Sequence, residues 1–197
     1  MSTSWRKLGL IYSPSCHRHP KLLTHAANPL PVHMYGDVYR IFYSGRDNKN
    51  RSSVGAVDID IKNQHIITDH YAPFFKHGTA GSFFVDGVSI GNCYKVDNVT
   101  YMLFMGWQAT STQHWRGDIG RLIVHEDLNL ELDSSTPFLS SDETDPISLS
   151  YPWVQQLRNG QYKMWYGSTI TWDSVMRTGL RTSGALPRYP NYYSIPA

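Results

Sequence analysis

The chain has 197 residues, 41% of them apolar, enough to bury the core of one domain or of two small ones. Its 18 Lys and Arg against 16 Asp and Glu leave a net charge of +2 with no basic run, which argues against a phosphate-tracking nucleic-acid binder, and 13% aromatics with 17% charged residues argue against disorder. No stretch approaches the roughly 20 apolar residues that cross a bilayer.

Two cysteines, Cys16 and Cys93, make no disulfide framework. The segment 1–10 lacks the apolar core and cleavage site of a signal peptide. Together these read as a cytoplasmic protein with no membrane partner.

In chain order, short aromatic or β-branched runs alternate with turn signals, and no capped amphipathic helix interrupts them. Strands are expected within 28–32, at 38–43 after Tyr35-Gly36-Asp37, and at 53–59. A further set falls within 88–93, at 100–105 after Asp97-Asn98, and at 119–124. The last pair falls within 151–154 and at 161–166, with Arg158-Asn159-Gly160 between them. The chain reads as all-β.

These strands repeat. Tyr39, Tyr101 and Tyr162 align at spacings of 62 and 61, and Ser44, Gly106 and Gly167 follow each by five residues. A unit of this kind cannot bury its faces alone, so units stack into a ring or solenoid, and a four-stranded propeller blade with long loops fits the period. Three units fill residues 20–173. The tail 174–197 has no acidic residue and three prolines, and continues no pattern. Propeller rings need at least about four blades. The expectation is a natural chain cut or frame-shifted near 173, or closure by another copy as a homo-oligomer.

The residues that carry the repeat also resemble a known superfamily. Trp5-Arg-Lys-Leu-Gly-Leu-Ile-Tyr12, Tyr39-Arg-Ile-Phe-Tyr-Ser-Gly-Arg-Asp47, Gly81-Ser-Phe-Phe-Val-Asp-Gly-Val88, Tyr101-Met-Leu-Phe-Met-Gly-Trp107 and Ser150-Tyr-Pro-Trp-Val154 look like the five-bladed β-propeller glycosidases, closest to bacterial proteins similar to glycoside hydrolase families 43 and 130. The resemblance spans residues 5–173, about three of five blades, divided roughly as 20–80, 81–142 and 143–173. It departs at Phe84, where related sequences often carry Asp, and in the absence of the last two blades. It implies an oligosaccharide or glycoside substrate, cleaved without cofactor by carboxylate acid/base chemistry. The alternatives are a phosphate-dependent glycoside phosphorylase and a non-catalytic sugar-binding module.

Glycoside cleavage needs a proton donor on the leaving oxygen and a carboxylate roughly 5–9 Å away that activates water or attacks carbon. Acidic candidates occur in all three units. Asp47 follows the first Tyr strand, Asp86 precedes the second inner strand, and Glu143 and Asp145 precede the third. Each has a plainer reading: Asp47 as a loop charge, Asp86 as a turn aspartate beside glycine, the other two as a solvated polar loop. Arg46, Arg51 and Arg116 are candidate sugar or phosphate ligands. Asp118 either joins the site or closes a loop by pairing with Arg116. His25 opens the first inner strand as a candidate sugar ligand or a satisfied core histidine, and Trp107 suits stacking on a pyranose. Cys16-His17-Arg18-His19 with His25 holds no complete ligand set at diagnostic spacing, so no metal is expected.

Overall fold

The computed structural model describes residues 4–15, 18–110, 115–169 and 193–194, and all regular structure among them is strand. The first unit runs β1 (Thr24–Tyr35), β2 (Val38–Arg46), β3 (Ser52–Asp60) and β4 (His65–Asp69). The second runs β5 (Gly87–Val96), β6 (Val99–Gln108), β7 (Arg116–Val124) and β8 (Leu130–Leu132). Both are antiparallel meanders. A third sheet holds β9 (Ser148–Gln156), β10 (Tyr162–Thr169) and β11 (Tyr193–Ser194) in the order β11-β10-β9.

The turns follow from their residues. Gly36-Asp37 links β1 to β2 and Asp97-Asn98 links β5 to β6, each as a two-residue loop whose first residue has a positive φ of 51°. That backbone matches the twist of the strands it joins. The β9–β10 connection turns through Gly160 at φ 83°.

One parallel pairing, Ser52↔Gly87, joins the first two units into an eight-stranded sheet, and no sheet closes on itself among the described residues. Otherwise the units meet through side chains. Phe42, Val54 and Ala56 of the first pack with Val88, Ile90, Met102, Phe104, Leu122 and Val124 of the second. The second unit's other face, with Tyr94, Leu103 and Ile119, packs with Leu149, Val154, Tyr162 and Met164 of the third. Each fully buried aromatic or aliphatic side chain contributes about 2 kcal/mol of transfer free energy.

The repeat is real in the backbone, but its middle alignment shifts by one residue. Val54 and Ile119 occupy matching places: each exchanges main-chain hydrogen bonds with a returning segment, at Phe74 and Phe75 or at Phe138 and Leu139. Val54 pairs with Ser44, and Ile119 with Met105, so β2 and β6 match at a spacing of 61. Phe42 then corresponds to Leu103, and each faces the following unit. Phe104, 62 residues after Phe42, faces the preceding one. Aligning Tyr39 with Tyr101 inverts every side chain of β6, because strand faces alternate with each residue. Met102 and Met164, 62 apart, both face backward, so Tyr39 and Tyr162 match Thr100 rather than Tyr101.

Candidate functional site

One end of the fold is a continuous row of paired strand ends. Thr24 pairs with Arg46, Arg46 with Ser52, Ser52 with Gly87, Gly87 with Trp107, and Trp107 with Gly117. The Gly117 amide then donates to Ser148 Oγ at 2.9 Å, and Ser148 pairs with Thr169. Every site residue expected from the sequence lies on this row or within five residues of it: His25, Arg46, Asp47, Arg51, Asp86, Trp107, Arg116, Asp118, Glu143 and Asp145.

Ser52 knits the row where the first two units touch. Its Oγ accepts from Val88 N at 2.8 Å and Trp107 Nε1 at 3.0 Å, and donates to Val88 O at 2.9 Å. A Cβ on Gly87 would stand inside van der Waals contact of Ser52 Oγ and Trp107 Nε1, so only glycine leaves this crossing intact. Trp107 is half-buried, its indole N–H committed to the crossing.

Three of the acidic side chains are tied down. Asp47 is 5% exposed. Its Oδ1 accepts from the amides of Lys49 at 2.8 Å and Arg51 at 2.9 Å, while Oδ2 takes Arg51 Nε at 2.9 Å and Nη2 at 2.8 Å. Burial pushes the Asp47 carboxyl up, but the Arg51 and Lys49 hydrogen bonds and the Arg51 charge outweigh it and hold the group below its ordinary value. Asp118, buried, is forked by Arg116 at 3.0 and 3.1 Å and accepts from the Ser141 amide at 3.2 Å. Asp145, also buried, accepts from Tyr166 OH at 2.7 Å.

Asp86 differs. Its main chain extends the ladder, donating to Trp107 O at 3.1 Å and accepting from Ser52 N at 3.2 Å. Its half-buried carboxylate accepts one hydrogen bond, Ala109 N to Oδ2 at 2.7 Å, which leaves Oδ1 uncommitted among the described residues. Glu143 is exposed in the loop before β9. His25 is exposed, at φ 64°, with Nδ1 2.9 Å from Thr24 Oγ1. Arg46 is half-buried.

Sequence reasoning missed two groups at the row, Lys21 and His77. His77 donates its main-chain N–H to Ser53 Oγ at 3.1 Å, as Ser141 does to Asp118, and Ser53 and Asp118 are 65 residues apart like Val54 and Ile119. That equivalence lies in the hydrogen bonds and not in the residue types, so the sequence carried no signal for it. His77 Nδ1 lies 3.0 Å from Gly78 O, Nε2 lies 2.6 Å from Lys21 Nζ, and Asp47 Oδ2 is 3.7 Å from Nε2. Away from the row, Arg40 forks the buried Asp58 at 2.8 and 3.0 Å, with His70 Nε2 2.9 Å from Asp58 Oδ2. That network braces the first unit.

Among the described residues no group of three or more His, Cys, Asp or Glu could hold a metal ion, and no helix is long and apolar enough to cross a membrane. Cys16 and His17 lie outside the described residues, as do Trp172 and the tail 174–197 except Tyr193–Ser194.

No family model matches the chain. Uncharacterised proteins from two strains of Mycobacterium tuberculosis are 41% identical over 170 residues, covering 86% of this chain and 56% of the relative. The chain thus spans little more than half the length of those relatives. Among solved structures it is similar to a complex of BT0996 with RGII, with a TM-score of 0.63 and 14% identity over 85% of this chain and 54% of that one. A thermostable family-43 glycoside hydrolase follows, at 0.55 and 17% identity over 76% and 48%. A glycosyl hydrolase from Bacteroides ovatus gives 0.56 and 13% over 80% and 50%. The last two are glycoside hydrolases by name, the neighbours share the β-propeller fold, and at such identities the likeness establishes the fold alone.

Proposed function

We propose that this chain supplies three units, roughly 20–80, 81–142 and 143–173, of a five-bladed propeller that hydrolyses glycosidic bonds by carboxylate acid/base catalysis. The observation that carries this reading is the row of strand ends, which gathers the acidic candidates of all three units and, among the described residues, leaves Asp86 with an uncommitted oxygen. In this reading Asp86 activates water or attacks the anomeric carbon, and Glu143 is the proton donor. Asp47, Asp118 and Asp145 hold the loops that present them.

Two features support a larger ring. Ile41, Tyr43, Val57 and Ile59 correspond to Met102, Phe104, Leu122 and Val124, the residues by which the second unit packs on the first. In the first unit they line a cavity of about 330 Å³ under Gly9–Tyr12. The Mycobacterium relatives supply the length: if 170 residues are 56% of a relative, about 130 more remain, close to two further units.

The test uses the native chain and a chimera in which its residues 1–169 replace the matching part of a Mycobacterium relative. Both are incubated with a broad glycoside panel, with and without phosphate. Release of reducing sugar by the chimera, lost in Asp86→Asn, is expected. A sugar 1-phosphate formed only with phosphate converts the reading to phosphorolysis. Glycan binding that survives Asp86→Asn and Asp47→Asn together, with no turnover, replaces it with a binding module. A native chain that runs as a multimer and is active alone favours ring closure by copies.

A further inference from the structure

The ion pairs of the row close one to one, Arg51 with Asp47 and Arg116 with Asp118. Lys21 breaks that pattern. It is half-buried and has no carboxylate partner among the described residues, and its ammonium rests on His77 Nε2 at 2.6 Å. An ammonium only donates, so the contact uses a lone pair on His77 Nε2, and the ring hydrogen then sits on Nδ1, 3.0 Å from Gly78 O. The ring is fixed as well: its side chain is 7% exposed and its main-chain N–H is held by Ser53 Oγ. A fixed nitrogen acceptor orients an ammonium without setting a carboxylate against it.

Other cations stand around it. Burial, then Arg51, then Lys76 disfavour the charged form of Lys21, and Asp47 only partly opposes them. His19 is likewise pushed down, by burial and then by Lys76 and Lys21. The nearby carboxylate, Asp47, is already filled by Arg51 and two loop amides, beside the strand ends where Asp86 is held. Aimed positive charge left unneutralised at a ligand-binding end is what recognition of an anion requires.

We propose that Lys21, with Lys76 and Arg51 around it, forms an oxyanion-binding site, taking a carboxylate or phosphate group carried by the sugar or acting beside it. His77 is the positioning residue. This deepens the glycosidase reading by giving its substrate, or its co-substrate, an acidic group. The oxyanion site itself does not depend on turnover.

The full chain is titrated calorimetrically at low salt with inorganic phosphate, glucuronate and glucose. Phosphate or glucuronate is expected to bind at least roughly tenfold tighter than glucose, the contribution of one charge-assisted contact. Lys21→Met should abolish that preference and Lys21→Arg retain much of it, while Lys62→Met, an exposed lysine of the β3–β4 turn, leaves it unchanged. Thermal melts confirm that each variant is folded. Phosphate alone binding points to a phosphate co-substrate, and glucuronate alone to an acidic sugar. No preference over glucose, or a preference that persists in Lys21→Met, overturns the proposal. Because no arm measures cleavage, a chimera that cleaves nothing refutes the hydrolase reading and leaves the oxyanion site standing.

Discussion

Asp47 and Asp86 stand on neighbouring loops at the one place where the first two units share a backbone pairing, and they are built in opposite ways. Asp47 is enclosed within its own loop: two amides and a guanidinium from residues 49 and 51 fill both oxygens. Asp86 has its main chain fixed between β3 and β6 while its carboxylate, among the described residues, meets one amide from across the sheet. The difference separates a carboxylate that holds structure from one that is held by it. A base or nucleophile needs an available lone pair, and only the second arrangement leaves one.

The contrast is broken most decisively by exchanging the readouts. Asp86→Asn keeps the shape and the Ala109 contact, so it should lower kcat of the chimera by at least roughly 10³-fold, about 4 kcal/mol, with the melting temperature unchanged. An equal loss of stability would put Asp86 in the same class as Asp47. Conversely, Asp47→Ala strands a half-buried guanidinium and two loop amides. It should cost about 3 kcal/mol in urea-melt stability, roughly 8 °C in melting temperature. Ser52→Ala sits between the two. It unpairs the Val88 and Trp107 N–H groups at the crossing, so about 2 kcal/mol of stability should go, and Asp86 activity should fall with it because the ladder that holds it loosens.

The strands were legible because their turns are local: Gly36-Asp37, Asp97-Asn98 and Gly160 announce hairpins wherever the flanking residues alternate. The acidic candidates could be set beside strand ends too, since Asp47 follows one run and Asp86, Glu143 and Asp145 precede others. The middle register was not. Tyr101 offered an aromatic match to Tyr39, but which face a strand side chain takes is a matter of parity, decided by packing against units about 60 residues away. Nor could spacing separate Asp47 from Asp86, because the contact that leaves Asp86 half-committed comes from Ala109, 23 residues on. Lys21 and His77 meet across 56 residues and carried no motif.

Acid sensitivity gives the smallest effect and the sharpest sign. The Asp47 carboxyl is held below its ordinary value in the folded chain, so the folded state binds its proton later than the unfolded one. Its contribution to stability is complete above the ordinary carboxylate pKa of about 3.9 and is lost as pH falls from there through the depressed folded value. Asp58, buried with Arg40 and His70, is depressed in the same direction and adds to the same limb. Urea midpoints of the native chain and of Asp47→Asn, measured from pH 7 down to pH 3, should therefore converge as the pH falls. The variant keeps the Asp58 part of the limb and loses the rest. Should the Asp47→Asn curve run parallel to the native one, the carboxylate in the β2–β3 loop is not holding that loop by its charge, and the contrast with Asp86 loses its basis.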